Sequence, residues 1–240
     1  MSKKVLLIFE GEWTEEQYFQ SMNRFFLENI EFVICVFEAN IYQLFDSIRD
    51  DEFIDTFSLL RENEVTEKYI RDWKRSDFAE IYLIFDFDGH DPHATKYGLL
   101  ALLELFDNES EHGKLYLSYP MIEAHRHLSF ENHCGLFVRI SDLTDYKKVV
   151  HYESNIRNSV STWSYNLWKT VIELHLRKAN NVVNNVCDFP VALINQLEIL
   201  EAQYDRYIET SQEVGVIGSI PLLILDYYGV EKSQRIFRTR

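Results

Sequence analysis

Two apolar runs in this chain end in acid. Residues 5–9 (VLLIF) lead into Glu10, and residues 81–85 (IYLIF) lead into Asp86, Phe87 and Asp88. Runs of this length without polar alternation read as strands buried on both faces of a parallel sheet. Residues 33–37 and 115–117 supply two more strands. Between them the spacing turns helical. Tyr18, Phe19, Met22, Phe25 and Phe26 mark one helix, and Thr14 with Gln17 fits a capping box at its start. Residues 40–75 read as two or three helical pieces, broken at 50–52 and 61–63, and residues 94–107 as a Leu-rich helix. This alternation predicts an α/β fold: a mostly parallel four-stranded sheet flanked by helices, joined by right-handed crossovers.

Beyond about residue 155 strand signals stop. Val160, Trp163, Leu167, Val171 and Leu174 form one apolar helical stripe. Leu193, Leu197, Leu200, Tyr204 and Tyr207 form another, with Pro190 near its start. A last short helix follows Pro221 and stops at Gly229. The pattern divides the chain into an α/β domain over 1–150 and a helical C-terminal region over 151–240. The basic tail of Arg235, Arg238 and Arg240 reads as a mobile end.

Charge adds an asymmetry. Residues 1–112 carry 25 acidic and 10 basic side chains, whereas residues 113–240 carry 14 of each. This is not the basic footprint of a protein that grips nucleic acid unaided. Bound cations or a partner's positive surface would have to offset it; the plain alternative is a solvated acidic surface. Cys35, Cys134 and Cys187 are widely spaced with no CxxC pair, which predicts reduced thiols in a cytoplasmic protein. No segment approaches the roughly 18 apolar residues of a membrane helix, and the N-terminus lacks the pattern of a signal peptide.

The chemistry lies where the strands end. In open α/β sheets ligands bind at the carboxyl edge. Asp86 and Asp88, two apart on an extended backbone, share a face about 6–7 Å apart at Cα. Such a pair repels unless a proton or a cation intervenes, and oxygen-only ligation suits Mg²⁺ or Mn²⁺. The alternative is an Asp-rich turn with Gly89 as its turn residue. In a parallel sheet Glu10 reaches the same edge, and Glu15, in the first turn of the next helix, faces the same space. A carboxylate metal site there suits phosphoryl transfer.

A strand running into Glu-Gly, then a helix, then a strand ending Asp-x-Asp resembles the Toprim domain. EGEWTEEQYF, residues 10–19, is similar to the EGxxTExxYF opening of stand-alone bacterial Toprim proteins of the OLD/RloB-like kind. SYPMIEA, residues 118–124, is similar to their Pro-x-x-Glu element. The resemblance covers residues 4–130. It implies a Mg²⁺-dependent nuclease, cleaving DNA or RNA as the toxic effector of a phage-defence system and paired with an ABC-type ATPase; a homo-oligomer is a separate expectation. It implies that Glu10 is the acid–base or metal-bridging carboxylate, that Asp86 and Asp88 hold the metal, and that Glu15 and Glu123 support them. Some relatives carry a third aspartate two residues after the pair. Here His90 stands at that position and Asp91 follows, so Asp91 is the candidate extra ligand and His90 a supporting group.

Two other readings compete. FDFDGH also resembles the DxDGT opening of haloacid-dehalogenase phosphatases, with Asp86 as nucleophile, Asp88 as acid and Ser118 as the second-motif hydroxyl. His90 in place of Thr, the mid-chain position and an unexplained Glu10 count against it. The other is a non-catalytic partner that docks on an ATPase through the acidic half. His125, His127, His133 and Cys134 cluster in sequence, but their spacing is not a standard zinc pattern. Neither a Walker loop nor GxGxxG occurs, so ATP coupling would come from another chain.

Overall fold

The structure is a computed structural model and describes residues 4–11, 13–27, 30–39, 41–49, 55–87, 89 and 95–238. The chain divides into two compact units: unit one holds residues 1–85 and 101–116, and unit two holds 86–100 and 117–240.

The apolar runs form strands as their pattern dictates. Strand β1 (Lys4–Phe9) is followed by helix α1 (Thr14–Phe26), strand β2 (Glu31–Val36), and helices α2 (Ile41–Arg49), α3 (Thr56–Glu62) and α4 (Glu67–Ile70). Strand β3 (Glu80–Asp86), helix α5 (Lys96–Leu105), strand β4 (Asp107–Asn108) and strand β5 (Gly113–Ser118) come next. The sheet order is β2-β1-β3-β5-β4. β1 pairs in parallel with both β2 and β3, with Phe9 opposite Val36 on one side and Ile84 on the other. Leu6, Leu7, Ile8 and Phe9 are fully buried, as a central strand covered on both faces requires. The sheet has five strands, not four. The extra one is the two-residue edge strand β4, antiparallel to β5 and too short to leave a hydrophobic period.

Helix α1 lays Phe19 against the sheet, its ring 6.0 Å from Phe9 and 4.9 Å from Phe32. Its start differs from expectation. The N-cap is Trp13, with no side-chain cap bond, so the Thr14–Gln17 capping box does not form. In α3 a side-chain N-cap does form: Asp55 accepts from Ser58 N–H at 2.9 Å.

Unit two contains strand β6 (Phe137–Arg139), helices α6 (Tyr146–Glu153), α7 (Tyr165–Asn184), α8 (Gln196–Gln203) and α9 (Glu209–Ser211), strand β7 (Glu213–Gly215) and helix α10 (Ser219–Phe237). Strand structure therefore does not stop at residue 155, because β7 pairs antiparallel with β6. The helical stripes also shift. α7 begins at Tyr165, capped by Ser164. Its buried face is Trp168, Val171, Ile172, His175, Leu176, Ala179 and Val182, while Val160 belongs to a separate 3-10 turn. Asn195, in a true capping box with Glu198, starts α8, and Leu193 is exposed outside it. Gly229 interrupts α10 with φ 70°, so the expected stop is real but a second helical piece follows. Arg235 lies in that piece and Arg238 bonds Asp188 at 2.9 Å, so neither belongs to a loose tail; Arg240 lies outside the described residues.

Cys134 and Cys187 form a disulfide with Cα atoms 6.0 Å apart, which corrects the expectation of three reduced thiols. Cys35 is free and buried, and burial pushes its thiol up to about 12. Among the described residues no helix is long and apolar enough to cross a membrane.

Candidate functional site

The residues at the carboxyl edge of unit one come first. Glu10 follows β1 in a bend and is half-buried. Its backbone carbonyl accepts a hydrogen bond from Glu38 N–H at 3.0 Å, after Phe37 N–H has bonded Phe9 O at 2.8 Å. The β1–β2 ladder thus continues past both strands and fixes the backbone of Glu10. Glu38 holds φ 56°, a left-handed conformation that a non-glycine residue rarely adopts. Its carboxylate lies 3.6 Å from Lys68 Nζ. Glu38 was missed in the sequence, although residues 34–38 (ICVFE) repeat the apolar-run-then-Glu pattern of residues 5–10.

Glu15 is buried in the first turn of α1. Its carboxylate folds back over Gly11: a Cβ built on Gly11 would sit 3.1 Å from Oε2 and 3.4 Å from Oε1. A side chain at Gly11 would therefore push the Glu15 carboxylate aside by a few tenths of an ångström, with no left-handed backbone involved. Glu15 thus stands against the residue that follows Glu10.

Asp86 is the last residue of β3 and the first of unit two. β1 and β3 are parallel neighbours, so the runs preceding Glu10 and Asp86 reach the same edge of the sheet. One residue on, Phe87 N–H donates to Ser118 O at 3.0 Å. The Phe87 ring packs 5.2 Å from Tyr119 and 6.2 Å from Tyr204. It also crowds Gly89, where a Cβ would meet Phe87 Cε1 at 2.4 Å. Asp88, His90 and Asp91 lie outside the described residues.

Glu123 stands in a 3-10 helix, Ile122–Arg126, largely buried, with Oε1 3.2 Å from Lys147 Nζ. Its observed role is an ion pair. Ser118 is fully buried and its hydroxyl lies 2.9 Å from that of Ser219, which removes it as the accessible hydroxyl a phosphatase reading needs.

Four histidines of unit two, His125, His127, His133 and His175, are buried. His125 Nδ1 lies 2.8 Å from Ile122 O, and its Nε2 accepts from Ile220 N–H at 3.1 Å. That fixes a neutral ring with the proton on Nδ1. His175 Nδ1 accepts from Gly218 N–H at 3.1 Å. Its ring lies 4.9 Å from His133 and 5.9 Å from His125. Desolvation lowers all of them: His125 to about 4, His133 to about 3, His175 well below its ordinary value, and His127 downward against the opposing pull of Glu153. Cys134 is consumed by its disulfide, so it supplies no thiolate to a metal here. His175 was hidden in sequence because it occupies an apolar stripe.

Hard carboxylates such as Glu10, Glu15 and Asp86 match the donors a Mg²⁺ or Mn²⁺ ion prefers. Among the described residues no group of three His, Cys, Asp or Glu is placed to hold a metal. The remaining candidates, Asp88 and Asp91, fall outside those residues.

No family model, curated protein or solved structure matches the chain.

Proposed function

We propose that the chain is a metal-dependent nuclease of the Toprim type, hydrolysing phosphodiester bonds in nucleic acid. The observation that carries the reading is the parallel pairing of β1 with β3, which brings two acid-terminated apolar strands to one edge as neighbours. The fold of Glu15 over Gly11 puts a further carboxylate against the residue that follows Glu10. Glu10, Asp86 and Asp88 would hold a Mg²⁺ or Mn²⁺ ion, with Glu15 and Asp91 as further candidates. When bound, the metal offsets phosphate charge, lowers the pKa of a water and stabilises the leaving oxygen.

In this scheme Glu10, with its backbone clamped to Glu38, holds a carboxylate at a fixed height where it takes or returns a proton. Gly11 leaves the room in which Glu15 sits. The acidic balance of the first half argues that cations, or the positive surface of an ABC-type ATPase partner, moderate the approach of a polyanion. The role of toxic effector in phage defence, and the cytoplasmic location that goes with it, rest on the family resemblance.

The test is cleavage of plasmid, single-stranded DNA and RNA with Mg²⁺ and with Mn²⁺, comparing wild type, Glu10→Ala and Asp86→Ala. Wild type should cut, and each variant should lose at least about a hundredfold in rate, the lower end for removing a group that transfers a proton. Equal cutting by all three proteins rejects the assignment.

A further inference from the structure

Unit one holds a cavity that the cleavage scheme does not use. It measures about 390 Å³ and is lined by Trp13, Glu16, Ile34, Val36 and Tyr69. It lies near the carboxyl end of β2, where Val36 pairs with Phe9, the residue before Glu10. Trp13 is the N-cap of α1, three residues after Glu10, and 73% of its surface is exposed. A large aromatic left so open at the mouth of a pocket forgoes burial that a ligand would restore.

The chemistry of the lining selects the ligand. Trp13 and Tyr69 offer aromatic faces, Ile34 and Val36 an apolar wall, and Glu16 an acceptor-only carboxylate. Aromatic faces with a carboxylate also suit an organic cation. Here, however, the Lys68 ammonium, ion-paired with Glu38, already stands 4.8 Å from the Tyr69 ring centroid, so a cationic guest would find that aromatic face taken. The lining therefore fits a flat, apolar-faced group with N–H donors on its edge, and in a nucleic acid that group is a nucleobase. We propose that this cavity is a base-stacking subsite that holds one nucleobase of the substrate strand, with guanine preferred. Guanine presents two adjacent N–H donors on its pairing edge to the Glu16 carboxylate, and the ring stacks on Trp13. Thymine presents one donor flanked by two acceptors, which the carboxylate repels. The proposal rests on the nuclease reading, deepens it to a substrate contact, and is tested apart from it.

The experiment uses the full chain with its indole nitrogens labelled by ¹⁵N, in EDTA so that no metal-dependent cleavage contributes. The Trp13 indole signal is assigned with Trp13→Phe. Guanosine monophosphate, thymidine monophosphate, ribose 5-phosphate and trimethyllysine are titrated separately. Guanosine monophosphate should shift the Trp13 signal saturably and bind more tightly than the other three. Trp13→Ala, followed by a competition readout, should weaken binding about tenfold or more, the scale of one lost stacking contact. Glu16→Gln should narrow the preference for guanine over thymine. The subsite is overturned if no nucleotide moves the signal, if ribose 5-phosphate moves it as well as guanosine monophosphate does, or if trimethyllysine is the tightest guest. Nucleotide binding in EDTA with cleavage indifferent to Glu10→Ala would sink the nuclease reading alone. Cleavage that needs Glu10, with a silent Trp13, would sink the subsite alone.

Discussion

The carboxylate of Glu15 rests on the backbone of Gly11, close enough that a single added methyl would stand 3.1 Å from Oε2. Gly11→Ala therefore asks the Glu15 carboxylate to move by a few tenths of an ångström while the backbone stays as it is. Global stability should change by less than about 1 kcal/mol, since no left-handed conformation is violated. Metal-dependent cleavage, measured beside thermal unfolding, should fall at least about tenfold if Glu15 supports the site, because small misplacements at a reacting centre are costly. Full activity in Gly11→Ala would show that the position of Glu15 is irrelevant to turnover.

The disulfide gives a second expectation. Cys134 and Cys187 are 53 residues apart. Closing a loop of that length restricts the unfolded chain by about 4 kcal/mol in the chain-entropy picture. Reduction, or the double change Cys134→Ser with Cys187→Ser, should lower the unfolding midpoint by several degrees. An unchanged midpoint on reduction, with complete thiol release confirmed by titration, would contradict the bond's stabilising role.

The buried histidines predict acid sensitivity with a defined sign. Their folded pKa values lie below the ordinary 6.5 because burial disfavours the charged ring. The unfolded chain therefore binds more protons between about pH 6.5 and 3, and stability present above pH 6.5 is lost as pH falls through that window. Two variants separate the members. Among the described residues neither ring nitrogen of His133 meets a hydrogen-bond partner, and Lys178 and His127 add repulsion to its charged form. His133→Phe should be neutral or should stabilise by about 1–2 kcal/mol, most visibly near pH 5. His125→Phe removes the partner of Ile122 O and of Ile220 N–H and should cost about 2–3 kcal/mol. Denaturant unfolding across pH 4–8 checks both, and the reverse order would refute the hydrogen-bond accounting.

Lys178 extends the same logic to alkaline pH. Its side chain is fully buried, with Nζ donating to Cys134 O at 2.8 Å and lying 3.3 Å from the Phe137 ring centroid. Desolvation lowers its pKa to about 7, against the opposing attraction of Glu213. The unfolded chain takes up this proton below about pH 10.5, so stability declines as pH falls from there to about 7. Lys178→Met should flatten that slope, with a gain of up to about 4 kcal/mol near pH 7 less the lost hydrogen bond to Cys134. A slope identical to wild type would show that the amine stays charged in the fold.

What the sequence revealed follows from the length over which each force acts. The runs at 5–9 and 81–85 are legible because both faces of a central strand demand apolar residues, and that pattern leads straight to Glu10 and Asp86. Glu38 was equally available by the same rule. β4, β6 and β7 have two or three residues each, below one full alternation, and only their partners define them. The start of α1 misled because the Thr14 and Gln17 residue types were read without a view of whether Thr14 lay outside the helix; Trp13 holds that place. The Cys134–Cys187 bond joins residues that no local signal connects. His175 and Lys178 gave no signal in the sequence because their partners come from other segments: Gly218, Cys134 and Phe137.

The burial of Lys178 has a practical consequence. An amine with its pKa lowered to about 7 is about half unprotonated at neutral pH, yet this one is sealed from solvent. Acylating reagents should spare it while the surrounding shell is shut and modify it, at the rate of an ordinary exposed lysine, only when β6 or the Cys134 segment lifts away. Mass-spectrometric labelling of that one position would thus time the breathing of the C-terminal unit, without any engineered probe.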